Sequence, residues 1–335
     1  MESSQVNVLI TGGTGFIGSR LGLRCLTDGH SVRILGQENT AAESSNRKLL
    51  EEKGARIRLA SVTRKELLPE LLEGIDVVYH LAAAQHEVNV PDERFREVNV
   101  QGTANLLEAG VAAGVRRFVH GSTIGVYGQG MEGRIDENSP LQPDNIYGKT
   151  KLEGENVVLL FKDRLPVVIL RIPETYGPGD RKLLKLFKAI RKGVFFMIGD
   201  GKNLHHLIHI DDLVDAFFLA ADHPDAIGNI FVVAGEEPVT TNEMVAVIAE
   251  RLGTRIRGFR VPLSPLLLLA YLTEKTCRPF GVKPPIYPRR MDFFRKNFAF
   301  SQEKAKNVLG FRPKVSFREG ISSTADWYLG TNLLQ

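Results

Sequence analysis

The sequence predicts an α/β fold: a doubly wound parallel sheet with a smaller, mixed substrate domain toward the C-terminal end. Short Val, Ile and Leu runs bounded by glycine alternate with longer helical patterns, which is typical of βαβ units around a buried parallel sheet. The length of 335 residues suits one large domain with a smaller appendage. The sequence therefore favours two domains of unequal size.

Seven short apolar runs are predicted to form the strands of the sheet. They cover residues 6–11, 31–35, 55–60, 75–80, 117–121, 166–171 and 229–233. The alternation fades after residue 171, and Pro-bearing loops join the helices beyond residue 233. We therefore predict a first domain over residues 1–172, to which the chain returns at about 208–234, and a second domain over 173–207 and 235–335.

Composition and charge are those of an ordinary globular protein. Hydrophobic residues make up 43% and charged residues 24%, and the net charge of +4 comes without a long basic block carrying interleaved aromatic residues. We expect a small-molecule partner and no nucleic acid. The sparse cysteines, Cys25 and Cys277, are predicted to be reduced packing residues, which favours a cytoplasmic location.

The most apolar stretch covers residues 261–272. It has about half of the length that spans a bilayer and contains Pro262 and Pro265, so no transmembrane segment is predicted. Core packing is the favoured reason for its composition, and the lining of an apolar pocket is the alternative.

A glycine-rich loop follows the first predicted strand and opens the first predicted helix. Gly12 permits a tight turn, Gly15 lets the backbone approach a pyrophosphate, and Gly18 allows the helix to pack on the strand. Free N–H groups at the start of the helix attract phosphates. This pattern in this position predicts a dinucleotide site in the first domain.

The end of the second strand leaves two cofactors open. A carboxylate for the adenosine ribose is usual there, but Gly36 and Gln37 stand in its place. Either NAD or NADP is therefore expected, with NAD as the first choice. Arg33, Arg47 and Lys48 are the candidates for contact with a 2′-phosphate.

Tyr147 and Lys151 are four residues apart and share one face of a predicted helix. A phenol with a pKa of about 10 is a poor base at neutral pH, but a nearby ammonium group favours the phenolate. Tyr147 can then accept or return the proton of a substrate hydroxyl as a hydride leaves or arrives. A Tyr and a Lys at this spacing are usually just an exposed helix face, but together with the upstream glycine loop the pair predicts an oxidoreductase.

Taken together, the motifs resemble the extended short-chain dehydrogenase/reductase family, which has a Rossmann sheet and includes the NAD-dependent epimerases and dehydratases. The resemblance covers nearly the whole chain. Its marks are Gly12, Gly15 and Gly18; His80-Leu81-Ala82-Ala83; Asn99 before Gly102-Thr103; Gly121-Ser122-Thr123 leading to Tyr127-Gly128; Tyr147 with Lys151; and Arg171 through Tyr176-Gly177-Pro178-Gly179.

The resemblance implies roles for individual residues. Thr123 is expected to orient the substrate and Tyr147, with Ser122 as the second choice, and Lys151 to hold the nicotinamide ribose. The implied substrate contacts are Gln85, Thr123, Glu174 and His205. The implied cofactor contacts are Gly12, Thr14, Gly15, Phe16, Ile17, Gly18, Gly36, Gln37, Ser61, Val62, Leu81, Ala82, Ala83, Asn99, Tyr147, Lys151 and Pro173.

Several positions depart from the family pattern. In dehydratases of the family, the residues at the position of Thr123-Ile124-Gly125 resemble Thr-Asp-Glu. This chain lacks those two carboxyl groups, so dehydration is not expected. Many members that act on sugar nucleotides carry Asn at the position of Glu174 and Arg near the position of His205. Both anchors for a diphosphate are therefore missing, unless Arg181 and Lys182 replace them.

A nearby cluster of His205, His206 and His209, followed by Asp211 and Asp212, suggests a metal site at first sight. The stretch resembles a family landmark that opens a helix, where acidic residues favour the helix dipole. No metal is therefore predicted.

Three functions follow from these observations. The leading one is a sugar-nucleotide epimerase, and the alternative enzyme is a dehydrogenase or reductase similar to the 3β-hydroxysteroid members. The alternative of another class is a non-catalytic protein that senses NAD(P). The family resemblance also implies a homodimer formed through two helices of the large domain.

Overall fold

The computed structural model describes residues 5–85, 90–129, 133–256, 258–277, 279, 282, 284–286 and 288–334. In that part of the chain, seven parallel strands form the main sheet, one at each predicted position. Residues 1–4 of the predicted first domain lie outside it. The strands are β1 Asn7–Thr11, β2 Ser31–Gly36, β3 Arg56–Leu59, β4 Val77–His80, β5 Arg117–Thr123, β6 Val167–Ile172 and, later in the chain, β11 Ile230–Val232.

Helices cover both faces of this sheet and form most of the remaining structure. In chain order, the helices are α1 Phe16–Thr27, α2 Ala41–Glu52, α3 Leu68–Leu72, α4 Asp92–Arg96, α5 Gly102–Ala112, α6 Ile146–Leu160, α7 Leu184–Arg191, α8 Ile210–Asp222, α9 Thr241–Arg251, α10 Leu263–Cys277, α11 Pro288–Arg295, α12 Glu303–Val308 and α13 Phe317–Gly330. The predicted α/β class with a doubly wound sheet is confirmed.

The strand order of the sheet is β11-β6-β5-β4-β1-β2-β3. The chain builds outward from β1 through β2 to β3 and then crosses to β4 on the other side of β1. Such a reversal leaves a crevice at the carboxyl ends of the strands, which is where ligands bind in open α/β sheets. The crevice here lies between the ends of β1 and β4.

Two apolar cores hold the helices against the sheet. On one face, buried residues of α1 and α8 such as Leu21, Cys25 and Phe217 pack on the strands. On the other face, Leu106 of α5 and Val158 of α6 do the same. The sheet is therefore covered on both sides, which explains why its inner strands β1, β4 and β6 are nearly continuous apolar runs.

The remainder of the chain packs around a separate apolar cluster. Phe187 of α7, Ile248 of α9 and Tyr328 of α13 are fully buried there. Short strand pairs surround them: β7 Thr175–Tyr176 with β10 Ile208–His209, β8 Met197–Ile198 with β13 Arg260–Val261, and β9 Leu204–His205 with β12 Val239–Thr240. The exact boundaries of the two predicted domains stay a prediction.

The expectation of core packing for residues 261–272 is wrong for one face of that segment. Most of it forms α10, whose inner face packs on α11, but Leu268, Leu269 and Leu272 are exposed. No helix within the described residues is long and apolar enough to cross a membrane.

Candidate active site

The glycine loop has the geometry of a phosphate cradle. Gly12 has φ +70°, and its N–H donates to Leu35 O at 2.7 Å. A Cβ added to Gly12 would lie 2.8 Å from Ala82 N, and one added to Gly18 would lie 2.4 Å from Gly12 O. Helix α1 begins directly after Gly15, and no side chain caps it. The loop therefore offers backbone N–H groups to an anion, and side chains would block it.

A groove runs from this loop along the carboxyl ends of β1, β4 and β5. The end toward Gly36 and Ser61 is the expected adenosine end, and the end toward Tyr147 is the expected nicotinamide end. The predicted cofactor residues line the groove with a single exception. These residues are Gly12, Thr14, Gly15, Phe16, Ile17, Gly18, Gly36, Gln37, Ser61, Val62, Leu81, Ala82, Ala83, Tyr147, Lys151 and Pro173. The predicted substrate contact Gln85 also lines this groove, and the residues present fit a dinucleotide.

Asn99 is the exception, because it does not reach the groove. Its side chain is buried, donates to Ala84 O at 3.1 Å and to Thr150 Oγ1 at 2.9 Å, and accepts from Ala84 N at 2.8 Å. The side-chain amide of Asn99 thus forms its hydrogen bonds with other protein groups and not with a ligand in the groove. Its effect on the site is to tie the loop after β4 to helix α6.

Gly18 provides a direct test of the cradle. In a Gly18→Ala variant the new methyl group would overlap Gly12 O and displace the loop, which should weaken NAD binding roughly tenfold to a hundredfold. Isothermal titration calorimetry with NAD measures this. Gly110→Ala in α5 is the matched control, since its Cβ would meet only ordinary contacts beginning at 3.6 Å. Equal NAD affinity in both variants would show that the glycine loop does not hold the dinucleotide.

The adenosine end carries an acidic residue that the sequence reasoning missed. Glu43, in the first turn of α2, lines the groove there. Two of the basic residues considered for a 2′-phosphate are engaged elsewhere: Arg33 donates to carbonyl oxygens at the end of α3, including Leu71 O at 2.7 Å, and Arg47 pairs with Glu38 and Glu51. A second missed residue, Arg94, also lines this end.

Tyr147, Lys151 and Thr123 meet at the other end of the groove. Asn145 caps α6 by accepting from Gly148 N at 3.0 Å, which places Tyr147 in the first turn and Lys151 one turn later. Thr123 ends β5, and its Oγ1 accepts from Gly125 N at 3.1 Å. All three side chains line the same compartment, and their catalytic roles stay a prediction.

Lys151 is almost completely buried, although it carries an amino group. Its Nζ donates to Gly121 O at 2.8 Å and lies 3.2 Å from His120 Nε2. Burial lowers the pKa of Lys151 to about 8, against the opposing effect of the Glu155 carboxylate. Burial also holds the pKa of His120 well below its ordinary value, so its imidazole is neutral.

Ser122, the second choice for the catalytic hydroxyl, is directed away from the predicted role. Its Oγ donates to Glu155 Oε1 in a buried network. Glu155 in turn forms an ion pair with Arg171 at 2.8 Å, and Arg171 donates to Tyr127 Oη at 2.8 Å. Thr123 is therefore the better candidate of the two hydroxyls.

Beyond Tyr147 lies a second compartment, which we predict to hold the substrate; residues from both parts of the chain line it. It contains the predicted residues Glu174 and His205. Sequence reasoning missed most of its other members, because they come from distant loops and from α11. The full lining is Thr123, Ile124, Gly125, Gly128, Asp144, Asn145, Tyr147, Glu174, His205, His206, Asp292, Phe293, Lys296 and Phe298.

Among the described residues, three carboxylates line this compartment, and two of them, Asp144 and Asp292, are paired with cations; Asp292 Oδ1 also lies 2.7 Å from Arg295 Nη2. Lys296 Nζ is 2.7 Å from Asp144 Oδ2 and 3.3 Å from Asp292 Oδ2, so this cation already has two carboxylate partners. Glu174 Oε2 lies 3.8 Å from His205 Nδ1. The Glu174 side chain is 56% exposed, and the neighbouring His205 and Lys182 lower the pKa of its carboxyl group.

The three histidines near residue 205 bind protein groups. His205 Nε2 is 2.9 Å from Thr241 Oγ1, and His209 is the N-cap of α8, as the family landmark implied. His206 bonds at both ring nitrogens, to Phe300 N and Gly235 O, each at 2.9 Å. Within the described residues, no group of three His, Cys, Asp or Glu side chains could hold a metal ion.

His206 should make the fold sensitive to acid. Burial lowers the pKa of His206 to about 4, whereas the ordinary value is 6.5. Between these values the unfolded chain takes up a proton that the folded protein does not, so the free energy of unfolding falls as pH is lowered from about 6.5 to 4. In urea unfolding, the wild type should lose about 1–2 kcal/mol more than His206→Gln between pH 7 and pH 5. An identical loss in both proteins would contradict this.

Comparison with known proteins identifies the class to which this fold and site belong. A family model described as the NAD dependent epimerase/dehydratase family matches residues 8–234. That match covers more than half of the chain, and the chain belongs to the NAD-dependent epimerase/dehydratase family. The predicted family and the predicted class of NAD-dependent enzyme are thereby confirmed.

Individual relatives have different activities. The chain is 31% identical over 287 residues to 3β-hydroxysteroid-dehydrogenase/decarboxylase isoform 1 of Arabidopsis thaliana, a match that covers 80% of this chain and 65% of that protein. This chain therefore spans just under two thirds of that relative's length. It is 29% identical over 338 residues to UDP-glucose 4-epimerase of Vibrio cholerae, covering 97% and 96% of the two chains.

Solved structures show the same fold. The UDP-glucuronic acid 4-epimerase of Bacillus cereus, solved in complex with NAD, superposes with a TM-score of 0.81. The two chains are 24% identical, and the alignment covers 98% of this chain and 100% of that one. At this identity the likeness supports the fold alone.

Proposed function

We propose that this protein is an NAD-dependent dehydrogenase or reductase that interconverts a secondary alcohol and a ketone on an uncharged, largely apolar substrate, similar to a 3β-hydroxysteroid. One observation carries the proposal: the single lysine among the described residues of the substrate compartment, Lys296, is already paired with Asp144 and Asp292, and Glu174 adds a further carboxylate. This reverses the order of the two enzyme functions that the sequence alone suggested.

The charge pattern disfavours a sugar diphosphate. Two like charges about 4 Å apart repel by about 4 kcal/mol at an effective dielectric constant of about 20, so a diphosphate beside Glu174 would lose much of its affinity. Lys182 lines the neighbouring compartment and compensates in part. Phe293 and Phe298 instead offer apolar surface to a substrate that carries no charge.

The catalytic group is a proton carrier next to the predicted hydride path. When bound, the dinucleotide would supply or accept the hydride. Tyr147 takes the proton from the substrate hydroxyl during oxidation and returns it during reduction, while the Thr123 hydroxyl orients the substrate oxygen. The Lys151 ammonium favours the Tyr147 phenolate, and its bond to Gly121 O fixes its position. An intact set of these three groups argues against a non-catalytic sensor.

NAD is favoured over NADP at the adenosine end. Glu43 provides a carboxylate near the expected ribose position, where it would repel a 2′-phosphate. Arg33 and Arg47 are held by other partners, as described above. Arg94 is the one basic residue among the described residues that line this end. Its Nη1 lies 3.5 Å from Glu97 Oε2, so it too has a carboxylate partner.

Epimerisation of a sugar nucleotide is the second candidate. It is favoured by the alignment with the Vibrio cholerae epimerase, which extends over nearly the full length of both chains. Tyr147 and Lys151 would serve that reaction equally well, so the difference lies in the substrate compartment.

Turnover with two probe substrates distinguishes the candidates. A dehydrogenase should produce NADH from NAD and a 3β-hydroxysteroid, with one ketone formed for each NADH, and should not convert UDP-glucose. Tyr147→Phe, assayed in parallel, should abolish the steroid signal. Conversion of UDP-glucose to UDP-galactose without accumulation of NADH, and no oxidation of the steroid, would establish the second candidate instead.

A further inference from the structure

Helix α10 carries an apolar face that packs against no described residue. Pro265, Leu268, Leu269 and Leu272 recur at the spacing of one helix face, and the three leucines are 63%, 46% and 53% exposed. The opposite face is also apolar: Leu263, Leu266, Leu267 and Ala270 pack together with Met291 and Phe294 of α11. A helix that is apolar on both sides requires a second partner for its outer face.

The same segment carries the positive charge of the protein. Residues 255–296 contain 10 Lys or Arg residues and 2 acidic residues, a net charge of +8. The rest of the chain has 33 basic and 37 acidic residues, a net charge of −4. Lys275 is exposed one turn beyond Leu272 on the outer face of α10. Two of these basic residues, Arg295 and Lys296, pair with carboxylates at the substrate compartment, whereas Arg255, Arg260 and Lys275 are exposed. Exposed apolar surface and net positive charge thus occur in the same segment of the sequence.

We propose that α10 docks the protein peripherally on an anionic lipid bilayer. The outer leucines would enter the boundary between headgroups and acyl chains, and exposed basic residues of the segment, Lys275 among them, would contact lipid phosphates. Tyr271, 62% exposed next to this stripe, has the amphipathic ring that suits the membrane interface. Peripheral docking does not require a helix long enough to cross the bilayer.

Charge selects a lipid surface over a second copy of the chain. Symmetric pairing of two α10 faces would bring two segments of net charge +8 together, and the resulting repulsion opposes association. An anionic bilayer offers both an apolar interior and the opposite charge.

The docking proposal does not depend on the proposed substrate, but α11 connects the docking face with the substrate compartment. Phe294 of α11 packs on α10, while Phe293 lines the substrate compartment.

Vesicle sedimentation of the full-length protein tests this surface. The wild type should bind vesicles of phosphatidylcholine with phosphatidylserine at low salt and only weakly bind vesicles of phosphatidylcholine alone. Leu268→Asn with Leu272→Asn should weaken binding about a hundredfold, and Lys275→Glu roughly tenfold. The matched control is Leu160→Asn with Leu329→Asn, which alters two exposed leucines on α6 and α13 and should bind like the wild type.

Several results would overturn the docking proposal. These are a wild type that binds neither vesicle type at low salt, or α10 variants that bind as the wild type does. A third is analytical ultracentrifugation in which the leucine variants dissociate an oligomer, since a second copy would then cover the face. If the leucine variants fail to fold, as judged by circular dichroism, Lys275→Glu and the salt dependence still decide. None of these readouts involves turnover, so they are independent of the proposed function.

Discussion

Replacing Tyr147 with phenylalanine should lower kcat by about two to four orders of magnitude, which is the range that a positioned acid or base contributes. The substitution removes the hydroxyl that exchanges the proton but keeps the ring. We therefore expect NAD affinity to stay within a few-fold of the wild type. Steady-state rates of NADH formation, together with calorimetric titration with NAD, separate the two effects.

Tyr127 provides the control for this experiment. Tyr127 precedes Gly128, which lines the substrate compartment. Its hydroxyl donates to Asp136 O at 2.8 Å and accepts from Arg171 within the buried network. Tyr127→Phe should cost about 1 kcal/mol of stability and leave most of the turnover. Full activity in Tyr147→Phe would refute the assignment of the proton carrier.

Replacing Arg171 with methionine should destabilise the fold by about 3–5 kcal/mol, the usual cost of leaving one member of a buried ion pair alone. Arg171 and Glu155 are 2% and 1% exposed, and two of the guanidinium nitrogens donate to the carboxylate. Without them the Glu155 charge has only the Ser122 hydroxyl as a partner within the described network. Urea unfolding at pH 7 measures the loss.

The double variant Glu155→Leu with Arg171→Met distinguishes a lost ion pair from a lost shape. Because both charges are removed together, we expect it to be more stable than Arg171→Met alone. If the double variant instead loses the sum of the two single effects, the pair does not act as a unit and the buried network has been misassigned.

The sequence predicted the sheet and the groove well because their signals are local. Most strands are short apolar runs that adjoin a glycine, and Gly12, Gly15 and Gly18 have a fixed relation to the first strand and helix. Residues at the carboxyl ends of neighbouring parallel strands must also lie at one edge of the sheet. The order Ser61, Ala82, Thr123 across the groove follows from that rule.

The direction in which buried polar side chains point could not be predicted from the sequence. Ser122 and Thr123 are adjacent and chemically alike, and only the packing of α6, which places Glu155 beneath β5, decides which hydroxyl faces the groove. Asn99 belongs to a motif of the family, but tertiary contacts direct its side chain toward Ala84 and Thr150.

The composition of the substrate compartment and the exposure of α10 were not predictable either. Asp292 and Lys296 are only four residues apart, but Asp144 lies more than 140 positions away from both, so no spacing rule connects it with them. Similarly, an apolar stretch of 12 residues reads the same whether one face or both faces are buried. The cytoplasmic location and the homodimer stay predictions.

The position and direction of the bound dinucleotide decide whether Tyr147 can act as the proton carrier. In a crystal structure of the protein grown with NAD, we expect the adenosine beside Ser61 and Val62 and the nicotinamide in the compartment formed by Thr123, Tyr147 and Pro173. A dinucleotide that lies in the opposite direction, or binds away from the glycine loop, would contradict the account of both the groove and the proton carrier.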